Sequence, residues 1–97
     1  MNHVATIDAA QELIRDECRE IERILLAKNA AYGNSALQPV RIFSKANTIE
    51  QIRVRLDDKL SRLARGQAAG EDVTLDLIGY LILLRVAEKM ATKNTPA

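Results

Sequence analysis

Apolar side chains recur at three- and four-residue intervals in three separate segments, and no segment alternates in the manner of a β-strand. Such spacing places the apolar positions on one face of an α-helix. The pattern predicts a first helix over about residues 7–29, a second over about 49–65, and a third from Asp72 to about residue 89. We therefore expect an all-α fold in which the second and third helices form an antiparallel hairpin with the first helix beside it.

Residue types that favour helix ends support these boundaries. Thr6 or Asp8 can cap the first helix, and a capping box begins at Thr48. Asp72 stands where a cap of the third helix is needed. Residues 91–97, "ATKNTPA", are the last of the sequence, and a frayed tail is expected there.

The apolar stripes predict which side chains are buried. The expected buried positions are Ile14, Cys18, Ile21 and Leu25 on the first helix, and Ile49, Ile52, Leu56, Leu60 and Leu63 on the second. The third helix is apolar nearly all round, and such a helix must be covered on every side. Two partner helices in a 97-residue subunit can hardly do so. The pattern therefore predicts a helical homo-oligomer, a dimer or larger.

Composition narrows the class of protein. Residues 1–97 form one domain by size, with a net charge of +1 and three aromatic residues, which argues against binding to nucleic acid. Cys18 is the only cysteine, so no intrachain disulfide is expected. His3 is the only histidine, so no catalytic Ser–His or Cys–His pair is expected. Without a signal peptide or a long apolar run, the chain is predicted to be cytoplasmic, with no membrane partner.

A basic cluster lies on the second helix in the stretch "RLDDKLSR", residues 55–62. Arg55, Lys59 and Arg62 stand at i, i+4 and i+7 and share one side of the helix, where like charges repel. Asp58 can reduce that repulsion, and so can a bound anion. Arginine suits phosphate because its planar guanidinium donates two parallel hydrogen bonds to phosphate oxygens. Three further cations precede this helix and are expected to converge on the same region: Lys28, Arg41 and Lys45.

Acidic residues gather at the start of the third helix, at Glu71, Asp72 and Asp76. The predicted hairpin would bring Asp58 near Asp76, and carboxylate oxygens are the ligands that magnesium prefers. A magnesium site at Asp58, Asp72 and Asp76 is therefore one interpretation. The other is structural: Asp72 caps the helix, and Asp76 pairs with a cation of the second helix, because an unpaired charge on an apolar helix is costly.

Three motifs, taken in order, resemble the nucleotide modification associated domain of phages and prophages. They are "KNAAYGNS", "IRVRLDDKLSRL" and "EDVTLDLIGYLILL", and they span residues 28–84. That domain is in turn similar to the all-α nucleoside triphosphate pyrophosphatases of the MazG and dimeric dUTPase group. Those enzymes are helical oligomers that hold magnesium with ExxE on one helix and ExxD on the next. The resemblance implies the same fold and a nucleotide ligand.

The same resemblance implies an altered metal motif. It places Asp76 on the Asp of ExxD, with Val73 at the position of the Glu and Asp72 beside it. It places Lys59 and Arg62 on the two glutamate positions of ExxE. Two metal ligands would then have become cations, which cannot hold magnesium but can neutralise phosphate.

The basic cluster and the resemblance to the nucleotide modification associated domain together predict that the protein binds free nucleotides. The expected phosphate contacts are Lys28, Arg55, Lys59 and Arg62, and the expected base or sugar contacts are Tyr32 and Asn34. Whether the chain is an enzyme stays open at this stage: it is either a magnesium-dependent pyrophosphohydrolase with a degenerate metal motif or a protein that only sequesters a nucleotide signal. The remaining alternative is a purely structural helical oligomer.

Overall fold

The computed structural model of the chain describes residues 6–93, which contain three α-helices. Helix α1 spans Ile7–Ala31, helix α2 spans Thr48–Ala64 and helix α3 spans Val73–Lys93. No strand occurs among residues 6–93, so the predicted all-α class with three helices is confirmed. Helix α3 contacts both other helices, and its contact with α2 is the more extensive.

Side-chain caps fix where the helices begin. The Thr6 hydroxyl accepts the backbone N–H three residues on, at 3.1 Å, and caps α1 as predicted. The cap of α2 is Asn47, whose side chain accepts the N–H three residues on at 2.9 Å, so the predicted cap at Thr48 is wrong by one residue. The Asp72 carboxylate accepts the corresponding N–H of α3 at 3.0 Å, as expected of a cap.

The helices run slightly further than the sequence pattern indicated. Helix α1 ends two residues later than predicted, and α3 continues four residues beyond residue 89. Residues 91–93 of the predicted tail are therefore helical, whereas 94–97 lie outside the described residues, as does His3. Gly66 follows α2 with a φ of +68°, the left-handed conformation that commonly ends a helix.

The buried core is small. Among the described residues the buried hydrophobic side chains are Ile21, Ile52, Val73 and Ala87. Ile52 is the only large side chain among them that is fully buried, at 1% exposure. Each helix contributes at least one member of this set, so the core lies where α1 and α2 meet α3.

Several positions predicted to be buried are exposed. Ile14 on α1 is 61% exposed, Cys18 is exposed, and Leu60 and Leu63 on α2 are 51% and 54% exposed. Residues 11–20 of α1 are all exposed, because no other part of the described chain covers that half of the helix. Helical periodicity identifies an apolar face, but it does not show whether the same chain contains a surface to cover it.

The chain is open for its size. Its accessible surface is 7784 Å², whereas a folded monomer of this mass exposes about 5,500 Å². Its radius of gyration is 16.8 Å, against about 12.5 Å for a compact domain of this length. The apolar helix α3 is incompletely covered, with Leu81 50% and Ile82 38% exposed. No helix within residues 6–93 is long and apolar enough to cross a membrane.

Candidate functional site

A cavity of about 460 Å³ opens between the three helices and the segment that follows α1. This volume lies in the range of about 300–1,000 Å³ that small-molecule sites occupy. Aliphatic side chains of α1 and α3 line it, together with Tyr32 and Tyr80. Its charged lining residues are Lys28, Arg55, Lys59 and Asp76. Three cations and one carboxylate thus face a partly apolar space.

Helix geometry brings these charges together. Lys28 lies in the last turn of α1, and Asp76 lies in the first turn of α3. Arg55 and Lys59 are four residues apart on α2 and therefore project from the same side of it. Gly79 of α3 also lines the cavity, where a Cβ atom would lie 3.1 Å from a terminal carbon of Leu25 on α1. The glycine therefore lets α1 approach α3 closely at this point.

Asp76 joins the three helices through ion pairs. Its carboxylate lies 3.1 Å from Lys59 Nζ and 3.8 Å from Lys28 Nζ, using a different oxygen for each. Lys59 Nζ is also 3.3 Å from the carboxylate of Glu71. The Lys59 side chain is only 16% exposed, so both of its pairs are partly shielded from water. The sequence-based expectation that Asp76 pairs with a cation of the second helix is met at Lys59.

These contacts change the ionisation of Lys59. The hydrogen bond to Asp76 is the main cause that raises the pKa of Lys59 above its ordinary value of 10.5. Burial acts in the opposite direction, and the hydrogen bond to Glu71 raises the pKa further. The ammonium group, which is charged at neutral pH, therefore keeps its charge to more alkaline pH than a solvent-exposed lysine does.

The raised pKa predicts that alkaline pH weakens the fold. A lysine whose pKa is higher in the folded chain contributes stability that is complete below its unfolded pKa of about 10.4 and is lost as the pH rises through the folded value. Urea unfolding followed by circular dichroism at fixed protein concentration should show this loss as the pH rises above about 10.4. The loss should be smaller in Lys59→Met and unchanged in Lys89→Met, where an exposed lysine of the same chain is removed. Equal losses in all three proteins would contradict the prediction.

Arg62 lies outside the cavity lining, although the sequence placed it among the phosphate contacts. Its guanidinium lies 2.6 Å from Glu71 and 3.3 Å from Asp58. Glu71 therefore bridges Arg62 and Lys59 and ties the start of α3 to α2. From the sequence, Glu71 was expected only as one of the acids at the start of the third helix. Its position in the short connection between α2 and α3 could have indicated that it pairs with a cation near the end of α2.

Tyr32 and Asn34 lie where the chain leaves α1. Both line the cavity, and Tyr32 is 70% exposed. The amide of Asn29 donates a hydrogen bond of 2.7 Å to the side-chain oxygen of Asn34. Gly33 and Asn34 have φ angles of +61° and +65°, which Gly and Asn tolerate better than other residues. The turn therefore places Asn34 at the cavity, and the hydrogen bond from Asn29 of α1 orients its side chain.

The structure thus brings five of the six predicted nucleotide contacts into one cavity. They are Lys28, Tyr32, Asn34, Arg55 and Lys59. The other two cations that were expected to converge there, Arg41 and Lys45, do not line it. Arg41 instead donates to the hydroxyl of Thr48 at 3.1 Å. The positions of these loop cations depended on the path of the connection, which the sequence did not specify.

The three carboxylates considered for magnesium are not brought together. Asp58 pairs with Arg62, Asp72 caps α3, and Asp76 lies between two lysines. Within residues 6–93, no group of three or more Asp, Glu, His or Cys side chains is arranged to hold a metal ion. Cations adjacent to Asp76 would also repel a divalent cation. The residues present therefore do not fit a resident magnesium ion.

Arg55 differs from the other cations of the site. It lines the cavity and is exposed, and its guanidinium makes no hydrogen bond or ion pair with any of the described residues. Five donor N–H groups in a fixed planar arrangement are thus free to contact a ligand.

Comparison of the chain with models of known protein families, with curated protein sequences and with solved structures gives no match.

Proposed function

We propose that this protein binds a free nucleotide in the cavity between its helices. The observation that carries the proposal is the gathering of Lys28, Arg55 and Lys59 from two helices around one space of about 460 Å³, together with two tyrosines. A cavity with apolar walls and a few convergent polar groups is the usual form of a small-molecule site. The resemblance to the phage and prophage nucleotide modification associated domain supports the same ligand class.

The chemistry of the lining suits both parts of a nucleotide. Lysine and arginine bind phosphate through charge-assisted hydrogen bonds, which are stronger than hydrogen bonds between neutral groups. Tyr32 and Tyr80 offer ring faces, and stacking of a base on an aromatic side chain contributes about 1–3 kcal/mol. Aliphatic side chains of α1 and α3 would cover the remaining faces of the base. Asn34 stands at the same cavity with amide groups that can contact a base edge or a sugar hydroxyl.

Asp76 would keep the cations in place before the ligand arrives. It holds the ammonium groups of Lys28 and Lys59 on the same side of α3 despite their mutual repulsion. Binding groups that are already oriented lose less conformational entropy when the ligand binds. The arrangement favours binding and does not by itself supply a hydrolytic step.

Isothermal titration calorimetry with a panel of ribonucleotides and deoxyribonucleotides tests the proposal. Each nucleotide is titrated with and without magnesium, and the mixture is then analysed for pyrophosphate. We expect binding without magnesium and recovery of the ligand intact. Release of pyrophosphate would identify a hydrolase instead of a sequestering protein. Absence of binding and of any thermal shift across the whole panel would contradict nucleotide binding and favour a structural oligomer.

We also infer that the functional protein is a homo-oligomer, a dimer or larger, in which the three helices of each subunit pack antiparallel. The accessible surface exceeds that of a compact monomer by about 2,000 Å², and a standard interface buries about 800 Å² on each partner. Exposed apolar side chains occur on all three helices, including Ile14, Val54 and Leu81. A surface of this kind is expected to be buried against further copies of the chain.

Sedimentation velocity should therefore show a species larger than the 10.8 kDa monomer. Ile14→Glu is expected to shift the assembly toward monomer, because it places a charge on an apolar face that the described chain leaves 61% exposed. Ala9→Glu adds the same charge at another exposed position of α1 and should leave the assembly unchanged. Sedimentation of the wild-type protein as a monomer at tens of micromolar would contradict the inference.

A further inference from the structure

The charges around the cavity are more nearly balanced than the three lining cations suggest. Beyond the lining, Arg62, Asp58 and Glu71 belong to the same network of ion pairs. Four cations (Lys28, Arg55, Lys59 and Arg62) thus face three carboxylates (Asp58, Glu71 and Asp76), which leaves a net charge of +1. A ligand with many negative charges would find little excess positive charge here.

The cations are also unequally available. Lys59 lies 3.1 Å from Asp76 and 3.3 Å from Glu71, and its side chain is 16% exposed. An anion that contacts its ammonium group has to compete with two carboxylates already in place. Lys28 has a single long contact of 3.8 Å with Asp76 and is 54% exposed. Arg55 has no ion-pair or hydrogen-bond partner for its side chain among residues 6–93.

We propose that the site takes a nucleoside carrying one phosphate group, not a triphosphate, with Arg55 as the main phosphate contact and Lys28 as the second. This inference rests on the proposed function and specifies its ligand. Two available cations match the charge of about −1.5 to −2 that a phosphate monoester carries at pH 7. A triphosphate is considerably more negative, and its outer phosphates would approach Asp76 and Glu71.

Lys59 acts in this scheme as a positioning residue. It pairs with Asp76, which lines the cavity, and thereby reduces the repulsion between that carboxylate and a bound phosphate. Arg55 supplies the planar pair of N–H groups that matches two phosphate oxygens, which a lysine cannot reproduce. Arg55→Lys is therefore expected to retain only part of the affinity.

Calorimetric competition with adenosine and guanosine mono-, di- and triphosphates, in buffer without magnesium, tests the ligand class. The monophosphate of the preferred base is expected to bind at least as tightly as its triphosphate. A triphosphate that binds ten times more tightly would overturn the proposal and leave nucleotide binding itself intact. If none of these six nucleotides and no member of the wider panel of ribonucleotides and deoxyribonucleotides binds, both this proposal and the proposed function fail.

Three variants test the role of Arg55. Arg55→Gln should weaken binding of the monophosphate by about 10- to 100-fold, since a charge-assisted hydrogen bond is lost, and Arg55→Lys should lie between this variant and wild type. Arg53→Gln is the matched control, because Arg53 lies on the same helix, pairs with Glu50 at 2.6 Å and does not line the cavity. Its affinity should be unchanged. Circular dichroism checks that each variant is folded, and equal affinities for Arg55→Gln and wild type would overturn the assignment.

Discussion

Ile52→Ala is expected to lower the free energy of unfolding by about 2–5 kcal/mol, the usual result of truncating a buried isoleucine. Ile52 is 1% exposed and is the only large side chain that is fully buried among the described residues. A small domain has a total stability of only about 5–15 kcal/mol, and the buried core of this one has few other members. The truncation is therefore expected to leave the subunit close to unfolding at ambient temperature.

Urea denaturation followed by circular dichroism, at one fixed protein concentration, measures the effect. Val54→Ala is the matched control, since Val54 lies two residues away on α2 and is 63% exposed. Its change should be much smaller than that of Ile52→Ala, because Val54 is largely exposed and packs against little of its own chain. If Ile52→Ala were as stable as Val54→Ala, the core would not lie where α2 meets α3.

Lys59→Glu is expected to weaken nucleotide binding by at least about 30-fold. The substitution places a third carboxylate beside Asp76 and Glu71, which are both within 3.3 Å of the lysine ammonium. The net charge of the network changes from weakly positive to negative, so the phosphate is repelled before it reaches Arg55. The repulsion among the carboxylates should also destabilise the packing of α2 on α3.

The control for this variant is Lys89→Glu. It changes the charge of the whole chain by the same amount at an exposed position of α3 that does not line the cavity. Affinity measured by calorimetry should fall for Lys59→Glu alone, on protein shown by circular dichroism to be folded. A Lys59→Glu protein that is folded and binds nucleotide with wild-type affinity would show that the ligand does not depend on this network.

Of the two ion pairs that Asp76 makes, the one with Lys59 could be predicted from the sequence and the one with Lys28 could not. An acid on an apolar helix requires a cation, and the short turn after α2 limited the candidates to the second helix, so Lys59 could be expected. The contact with Lys28 at 3.8 Å depends in addition on how closely α1 approaches α3, which Gly79 permits. Nothing in the local pattern of α1 specifies that distance.

Arg62 shows the opposite case. By spacing alone it belongs with Arg55 and Lys59, because all three lie on one side of α2. Glu71 lies close enough to hold its guanidinium at 2.6 Å, and this contact leaves Arg62 outside the cavity lining. Which of two equivalent cations faces a cavity depends on the path of the turn between helices, and that path is set by tertiary packing.

The sequence by itself determined the all-helical class and the three helices, because helical periodicity and capping are local properties that a few neighbouring residues specify. It also indicated five of the polar and charged residues that line the cavity. The tertiary structure decided which apolar faces are covered, as the exposed Ile14 and Cys18 illustrate. It also decided that the acids pair with cations instead of with one another. Burial and ion pairing depend on distances between segments that are far apart in the chain, and no local pattern fixes those distances.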